Sequence, residues 1–152
     1  MAIDPRVDIG HVHLKVSDLD RALDFYVGVL GFELFLRHGD EAAFVSAGGY
    51  HHHIGLNTWE SRGAGPPPRN TTGLFHTAIR YPDRKTLADA LRCLLEAGIR
   101  LDGASDHGVS IALYLRDPDG YEAKSSSTKT ALIERLPEPV IADAGDWLTR
   151  AA

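Results

Sequence analysis

Two segments of the chain repeat one pattern, and this repeat constrains the fold more than any other feature of the sequence. His11 and His76 each lie early in a segment that alternates apolar and polar residues, and they are 65 residues apart. Each segment is followed by a helix-like stretch that ends at a glycine, Gly31 or Gly98, and these glycines are 67 residues apart. Nearly equal spacing of two landmarks indicates a duplicated unit. Such a unit can bring one imidazole per copy to a shared midline, the usual start of a divalent-metal site.

Each copy is predicted to begin with a strand and a helix and to continue with further strands. In the first copy we predict strands at 9–16, 32–37, 42–46 and 50–58. The first helix should begin at Ser17 or Asp18, which are both good N-cap residues, and end at Gly31. In the second copy we predict a helix opened by Pro82 and Asp83, and strands at 74–81, 99–101 and 109–116. The fold class is therefore α+β, with paired βαβββ modules.

The two modules are separated by a proline-rich linker, and the second module ends differently from the first. We assign module 1 to residues 8–62, the linker to 63–72, module 2 to 73–128 and a C-terminal tail to 129–152. Residues 121–129 are polar and rich in serine where a last buried strand is expected, a composition that suits a core strand poorly. The tail is interrupted by prolines, and we expect it to pack as a short helix or against a partner chain.

Composition excludes several classes of partner. The chain has 152 residues, and 43% of them are apolar, which fits one domain or two small modules. The net charge of −5 is mixed in sign, which argues against a nucleic-acid partner. No apolar run approaches the roughly 20 residues that a membrane-spanning helix needs, and we see no signal-peptide pattern. The single Cys93 excludes an internal disulfide and is compatible with the cytoplasm.

Several motifs identify a family resemblance. They are HVHLKVSDLDRALDFY at 11–26, LGF at 30–32 and DPDG at 117–120. In these segments the chain resembles the vicinal oxygen chelate superfamily, which includes glyoxalase I, the fosfomycin- and bleomycin-resistance proteins and the extradiol ring-cleaving dioxygenases. The segments HHHIGLNTW at 51–59 and DHGVS at 106–110 are similar, more narrowly, to catechol-2,3-dioxygenase-like members. The resemblance covers residues 8–120 and leaves the tail unmatched.

The resemblance implies an open, cup-shaped mixed β-sheet around a metal, with His11 and His76 as ligands. The family's carboxylate ligand normally lies four residues after the turn glycine, where this chain has Lys124, a poor ligand. Glu122 lies two residues earlier, on the same face of a regular strand, and is our candidate for the third ligand. Gly55 stands where glyoxalase I has a fourth ligand. These positions favour a site of two histidines and one carboxylate, with Fe(II) or Mn(II) as the metal and Zn or Ni as further candidates.

Four more residues are candidates for the substrate pocket. Tyr114 matches a pocket tyrosine of extradiol enzymes, and His107 precedes its strand, so we assign both to catalysis as proton carriers. His53 and His13 are assigned to substrate binding, because alternation places His53 on the face of Gly55 and His13 on the face of His11. Some of these candidates also have an ordinary alternative: a core aromatic for Tyr114 and a turn-capping residue for His107. For the proposed ligands His11 and His76 the alternative is a strand histidine bonded to a backbone carbonyl.

The leading functional hypothesis is a metal-dependent enzyme of the glyoxalase or extradiol dioxygenase type. Its substrate would be a catechol-like small molecule that binds the metal through two adjacent oxygens. The alternatives are a metal-free small-molecule binding protein of the resistance type, a catalytically impaired member, or a non-catalytic half of a two-domain dioxygenase. We expect a homodimer from the resemblance. Because the match stops abruptly after Gly120, a frameshift that replaced the last strand is a further hypothesis.

Overall fold

The computed structural model describes residues 2–68, 70–107, 110–120 and 129–135. The chain forms two compact units, 1–65 and 66–152, and each is described by itself. Their boundary falls inside the predicted linker. None of the helices in these ranges is long and apolar enough to cross a membrane.

Unit 1 is a four-stranded mixed sheet with one helical segment. Its elements are β1 (Val12–Lys15), α1 (Leu19–Leu23), a π-helical continuation (Asp24–Val29), β2 (Glu33–His38), β3 (Ala42–Ser46) and β4 (Ile54–Asn57). The strand order is β1-β4-β3-β2, with β1 parallel to β4 and the other pairs antiparallel. This is the predicted βαβββ module. Its last strand is shorter than the predicted 50–58, because residues 50–53 form a loop before β4.

Local sequence signals explain where the helical segment begins and ends. The Asp18 side chain accepts a hydrogen bond from the backbone N–H of Arg21 at 2.9 Å, so Asp18 rather than Ser17 is the N-cap. The Leu30 N–H bonds the carbonyl of Phe25, five residues earlier, which widens the last turns into a π-helix. Gly31 then adopts a φ of 80°, a left-handed conformation that ends the helix.

Unit 2 repeats this topology. Its elements are β5 (His76–Tyr81), α2 (Arg84–Glu96), β6 (Leu101–Asp106), β7 (Ser110–Arg116), a 3₁₀ turn (Pro118–Gly120) and β8 (Lys129–Arg135). The order β5-β8-β7-β6, with β5 parallel to β8, matches the order in unit 1 strand for strand. The duplication inferred from the two histidines and two glycines is therefore confirmed, as is the α+β class with two open mixed sheets.

The last strand of unit 2 lies in the segment that the sequence analysis assigned to the tail. Thr130, Ala131 and Leu132 are buried in β8, which pairs with β5 on one side and β7 on the other. Small, β-branched and aliphatic residues suit such a central strand. The expected strand at 99–101 is also displaced, because β6 begins at Leu101 and gains its backbone partners from β7. Residues 121–128, which include Glu122 and Lys124, lie outside the described residues.

Among the described residues, a helix covers one face of each sheet, and we call the other face the open face. In unit 2, Leu113, Leu115 and Leu132 are buried on the face that α2 covers. Side chains of directly paired residues share a face and alternate along each strand. His76 and Tyr114 therefore lie on the opposite, open face of the sheet, together with Ala78 and Ala131.

Candidate functional site

His11 belongs to a cluster of three imidazoles in unit 1. It lies directly before β1, and its ring centroid is 4.4 Å from that of His52 and 6.5 Å from that of His51. The Nδ1 atoms of His51 and His52 are 2.7 Å apart. Burial, followed by the charges of His11 and the other neighbouring histidines, lowers the pKa of His52. The sequence analysis did not select His52, because alternation in a strand would have turned it away; residues 51–53 are a loop, where alternation does not apply.

His13 packs against β4 at Gly55. The two residues are paired in the register of β1 and β4, and a Cβ at Gly55 would lie 3.0 Å from the His13 Cγ and Cδ2 atoms. The His13 ring also contacts Trp59 at 5.5 Å and Phe44 at 5.9 Å between centroids. Burial, and then the charge of His11, lower the pKa of His13. Gly55 thus provides the space that the imidazole occupies.

His53 has a set of structural partners. Its Nδ1 accepts a hydrogen bond from the Ala47 N–H at 3.3 Å and lies 3.3 Å from Ser46 Oγ. Because the Ala47 N–H donates to it, Nδ1 is the unprotonated nitrogen, and the Ser46 hydroxyl donates to the Tyr50 carbonyl instead. The ring also contacts that of Tyr50 at 4.8 Å. His53 therefore closes the turn before β4, and its predicted role in substrate binding stays a prediction.

Unit 2 brings His76, Tyr114 and His107 into one row, which we call the His–Tyr–His row. The Tyr114 hydroxyl is 2.9 Å from His107 Nε2, and the Tyr114 ring is 6.2 Å from the ring of His76. The His107 N–H donates to the Ser110 carbonyl at 2.8 Å, which holds His107 next to the start of β7. Three of the residues selected from sequence therefore lie together on the open face of unit 2.

One nitrogen in this row lacks a partner. The Nδ1 atom of His76 is buried and has no hydrogen bond within the described residues. Buried polar atoms are nearly always hydrogen-bonded, so such an atom marks a place where a ligand atom or a metal ion would be favourable. The residue therefore fits the role of an imidazole ligand. Of the predicted ligands, His11 lies in unit 1, His76 in unit 2 and Glu122 outside the described ranges.

In both units, strand pairing places a residue without a metal-binding side chain at the position where a carboxylate ligand is expected. In unit 1 the residue two positions after His11, which is His13, pairs with Gly55. In unit 2 the residue two positions after His76, which is Ala78, pairs with Ala131. Neither glycine nor alanine can coordinate a metal. In agreement, no group of three or more His, Cys, Asp or Glu side chains is arranged to hold a metal among the described residues.

The chain is similar in sequence to curated proteins of two activities. The chain is 46% identical over 95 residues to the catechol-2,3-dioxygenase of Bacillus subtilis (strain 168), covering 62% of this chain and 33% of that protein. It thus spans only a third of the length of that relative. A probable lactoylglutathione lyase of Synechocystis sp. is 28% identical, with 79% of this chain and 95% of that protein covered.

A solved structure shares the fold of this chain, and a family model matches its sequence. A glyoxylase/bleomycin resistance protein/dioxygenase domain from Frankia sp. EAN1pec superposes with a TM-score of 0.68 at 19% identity, covering 88% of this chain and 95% of the other, so the fold is shared. The family model for glyoxalase matches residues 8–124, which is most of the chain. The resemblance read from the sequence motifs is confirmed: the chain belongs to the Glyoxalase/Bleomycin resistance protein/Dioxygenase superfamily.

Proposed function

We propose that the chain is a metal-dependent enzyme that cleaves the ring of a catechol-like small molecule. The observation that carries the proposal is the His–Tyr–His row, with its buried, unpartnered Nδ1 on His76 beside a hydrogen-bonded tyrosine and histidine. The 46% identity to a catechol-2,3-dioxygenase supports the same chemistry. Only 33% of that relative is covered, so its whole activity is carried over here as a proposal.

We assign the metal to His11 and His76, with Glu122 as the carboxylate ligand and Fe(II) or Mn(II) as the ion. The bound ion would supply positive charge to two adjacent substrate oxygens. The chain itself would bind the aromatic ring on the open face of unit 2, beside Tyr114. His13 and His53 are assigned to substrate binding. A homodimer in the cytoplasm completes the proposal, on the strength of the family resemblance and the single cysteine.

Tyr114 and His107 would move the protons that a diol releases when it binds. Their 2.9 Å contact allows the hydroxyl to donate to Nε2, or to accept from it once the other tautomer forms. A proton taken at the Tyr114 oxygen can therefore pass to the His107 imidazole without either side chain leaving its position. The Ser110 carbonyl holds the backbone of His107 in place for this transfer.

A second candidate function is a reaction on lactoylglutathione. The observation in its favour is length, because the match to the probable lactoylglutathione lyase of Synechocystis sp. covers 95% of that protein. A third candidate is metal-free binding of a small molecule, favoured by Gly55 and Ala131 at the two positions where a carboxylate ligand would pair.

Metal analysis and turnover separate these candidates. Protein purified without chelator is analysed for bound metal, then loaded with Fe(II) and assayed with catechol and, separately, with lactoylglutathione. The proposal predicts bound or restorable metal and turnover of catechol, both lost in His76→Ala and kept in the control His38→Ala. Protein that neither holds nor takes up a divalent metal would rule out the enzyme.

The tyrosine is tested with its own control. We expect Tyr114→Phe to lower kcat for the diol by about a hundredfold, since proton transfer typically contributes that much. Tyr81→Phe removes a hydroxyl from the other face of the same sheet and should leave kcat unchanged. An unchanged kcat in Tyr114→Phe would remove Tyr114 from the mechanism.

A further inference from the structure

The open faces of the two units differ in how they are filled. Four positions, one on each strand, are paired in a row across each sheet. In unit 1 this row consists of His13, Gly55, Phe44 and Leu36. In unit 2 the same row consists of Ala78, Ala131, Tyr114 and Gly103. Side chains fill the row in unit 1, whereas Tyr114 is the only large side chain of the row in unit 2.

Gly103 is the position where the difference is largest. It pairs with Tyr114 in the register of β6 and β7, as Leu36 pairs with Phe44 in unit 1. A Cβ at Gly103 would meet no atom of the described residues within 4 Å, so these residues leave space beside Tyr114 on this side. The register shifts next to Leu36 in β2 and next to Gly103 in β6. The irregularity is therefore common to the two units, and the two positions differ only in the side chain.

A separate observation indicates that a ligand belongs on this face. The buried Nδ1 of His76 lacks a partner within the described residues, and it lies on the same face two residues before Ala78. The Tyr114 ring lies on this face between the two histidines, with its centroid 6.2 Å from that of His76 and its hydroxyl 2.9 Å from His107 Nε2. A ligand bound at His76 and extending along the paired row would lie beside Tyr114 and end above Gly103.

We propose that Gly103 determines the size of the substrate, and that the space above it accepts an apolar substituent on an aromatic vicinal diol. Adjacent strands are about 4.8 Å apart, so the space above Gly103 extends about that far beyond Tyr114. This distance accommodates the thickness and part of the width of a second ring attached to the diol. The methyl groups of Ala78 and Ala131 provide an apolar floor for the first ring. This inference rests on the proposed function, whose site it extends.

The substitution that tests it copies unit 1 into unit 2. Gly103→Leu places the side chain of Leu36 at the equivalent position, and φ at Gly103 is outside the left-handed region, so leucine is sterically allowed there. Ala104→Leu is the matched control, because Ala104 is the exposed neighbour on the same strand and points to the other face. Gly103→Ala is a smaller change that keeps the test open should the leucine variant fold poorly.

The probes are catechol and 3-phenylcatechol, and the readouts are binding by calorimetry to the metal-loaded protein and KM against kcat. We expect Gly103→Leu to weaken the binding of 3-phenylcatechol about tenfold or more and to change the binding of catechol less than about twofold. Gly103→Ala should show the same selectivity with a smaller effect. Ala104→Leu should change the binding of neither diol. Equal effects on the two diols, or none, would overturn the role of Gly103 while the dioxygenase proposal stands. A wild-type protein that binds neither diol would overturn both.

Discussion

Gly55→Ala is the substitution whose consequence the structure defines most closely. The added Cβ would lie 3.0 Å from His13 Cγ and Cδ2 and 3.1 Å from Cε1, so it would sit over the face of the imidazole. Ordinary contacts begin near 3.4 Å, and the ring would therefore have to move by about 0.4 Å. That movement disturbs the contacts of the ring with Phe44 and Trp59.

Two opposing terms set the magnitude. Replacing glycine with alanine in a strand is favourable by about 0.5–1 kcal/mol, because the unfolded chain loses freedom. Crowding a packed position costs about 1–3 kcal/mol. His13 is exposed on its outer side, so the cost falls in the middle of that range, and we expect the free energy of unfolding to drop by about 1 kcal/mol.

A double-mutant cycle with His13→Ala measures the contact directly. Without the imidazole, Gly55→Ala should become neutral or stabilising, which gives a coupling of about 2 kcal/mol between the two positions. Urea denaturation followed by circular dichroism provides the four free energies, and Gly103→Ala, where nothing lies within 4 Å, is the control for the glycine effect alone. If Gly55→Ala has the same effect with and without the imidazole, the packing explanation is wrong.

Three further predictions concern stability, measured by urea denaturation. Leu132→Ala, at a fully buried position of β8, should lower the free energy of unfolding by about 2–5 kcal/mol, whereas Leu95→Ala on the exposed side of α2 should change it by less than about 0.5 kcal/mol; a tolerated Leu132→Ala would argue against β8. Thr130→Val removes a buried hydroxyl that lacks a partner within the described ranges, and it should be neutral or stabilising by up to about 1 kcal/mol; a clear loss would reveal a partner for that hydroxyl. Hydrogen bonding from the Thr86 N–H lowers the pKa of Asp83 in the folded protein. The stability that the ionised Asp83 side chain adds to the fold is therefore fully present above pH 3.8, and it is lost as the pH falls through the lowered pKa. Asp83→Asn keeps the helix cap but has no carboxyl group to protonate. Between neutral pH and the pH range where Asp83 titrates, it should therefore lose less stability than the wild type. Equal losses would show that the ionised Asp83 carboxylate does not stabilise α2.

The repeated fold could be predicted because its signals are local and occur twice. Capping residues, such as Asp83 before α2, and the glycines that end the helices act within a few residues of themselves. The position of β8 could not be predicted in this way. Counting from Gly120 places the strand in the polar segment that follows, but pairing with both β5 and β7 places it at Lys129–Arg135. A central strand is selected by what its neighbours bury, and that information lies far away in the sequence.

The residues of the candidate site were predicted where local sequence signals apply and missed where they do not. His76, Tyr114 and His107 were found because the family motifs and strand alternation point to them, and the structure brings them together. His52 was missed because alternation was applied to a segment that is a loop. No local signal in the sequence says that residues 50–53 leave the strand; the backbone bond from Val12 to the His53 carbonyl shows where pairing with β1 begins.

The carboxylate position shows why counting along the chain and pairing across the sheet must be kept apart. Counting from the turn glycine selects Lys124, whereas pairing selects Ala131, seven residues later. In unit 1 both routes select Gly55, since the match there has no displaced strand. The two units therefore agree in having no ligand at the paired position, and they differ in what the vacant space holds: an imidazole in unit 1 and methyl groups in unit 2. A carboxylate from outside β8 would have to complete a metal site, which is why Glu122, and no residue of β8 at that position, decides between the metal-dependent enzyme and the metal-free binding protein.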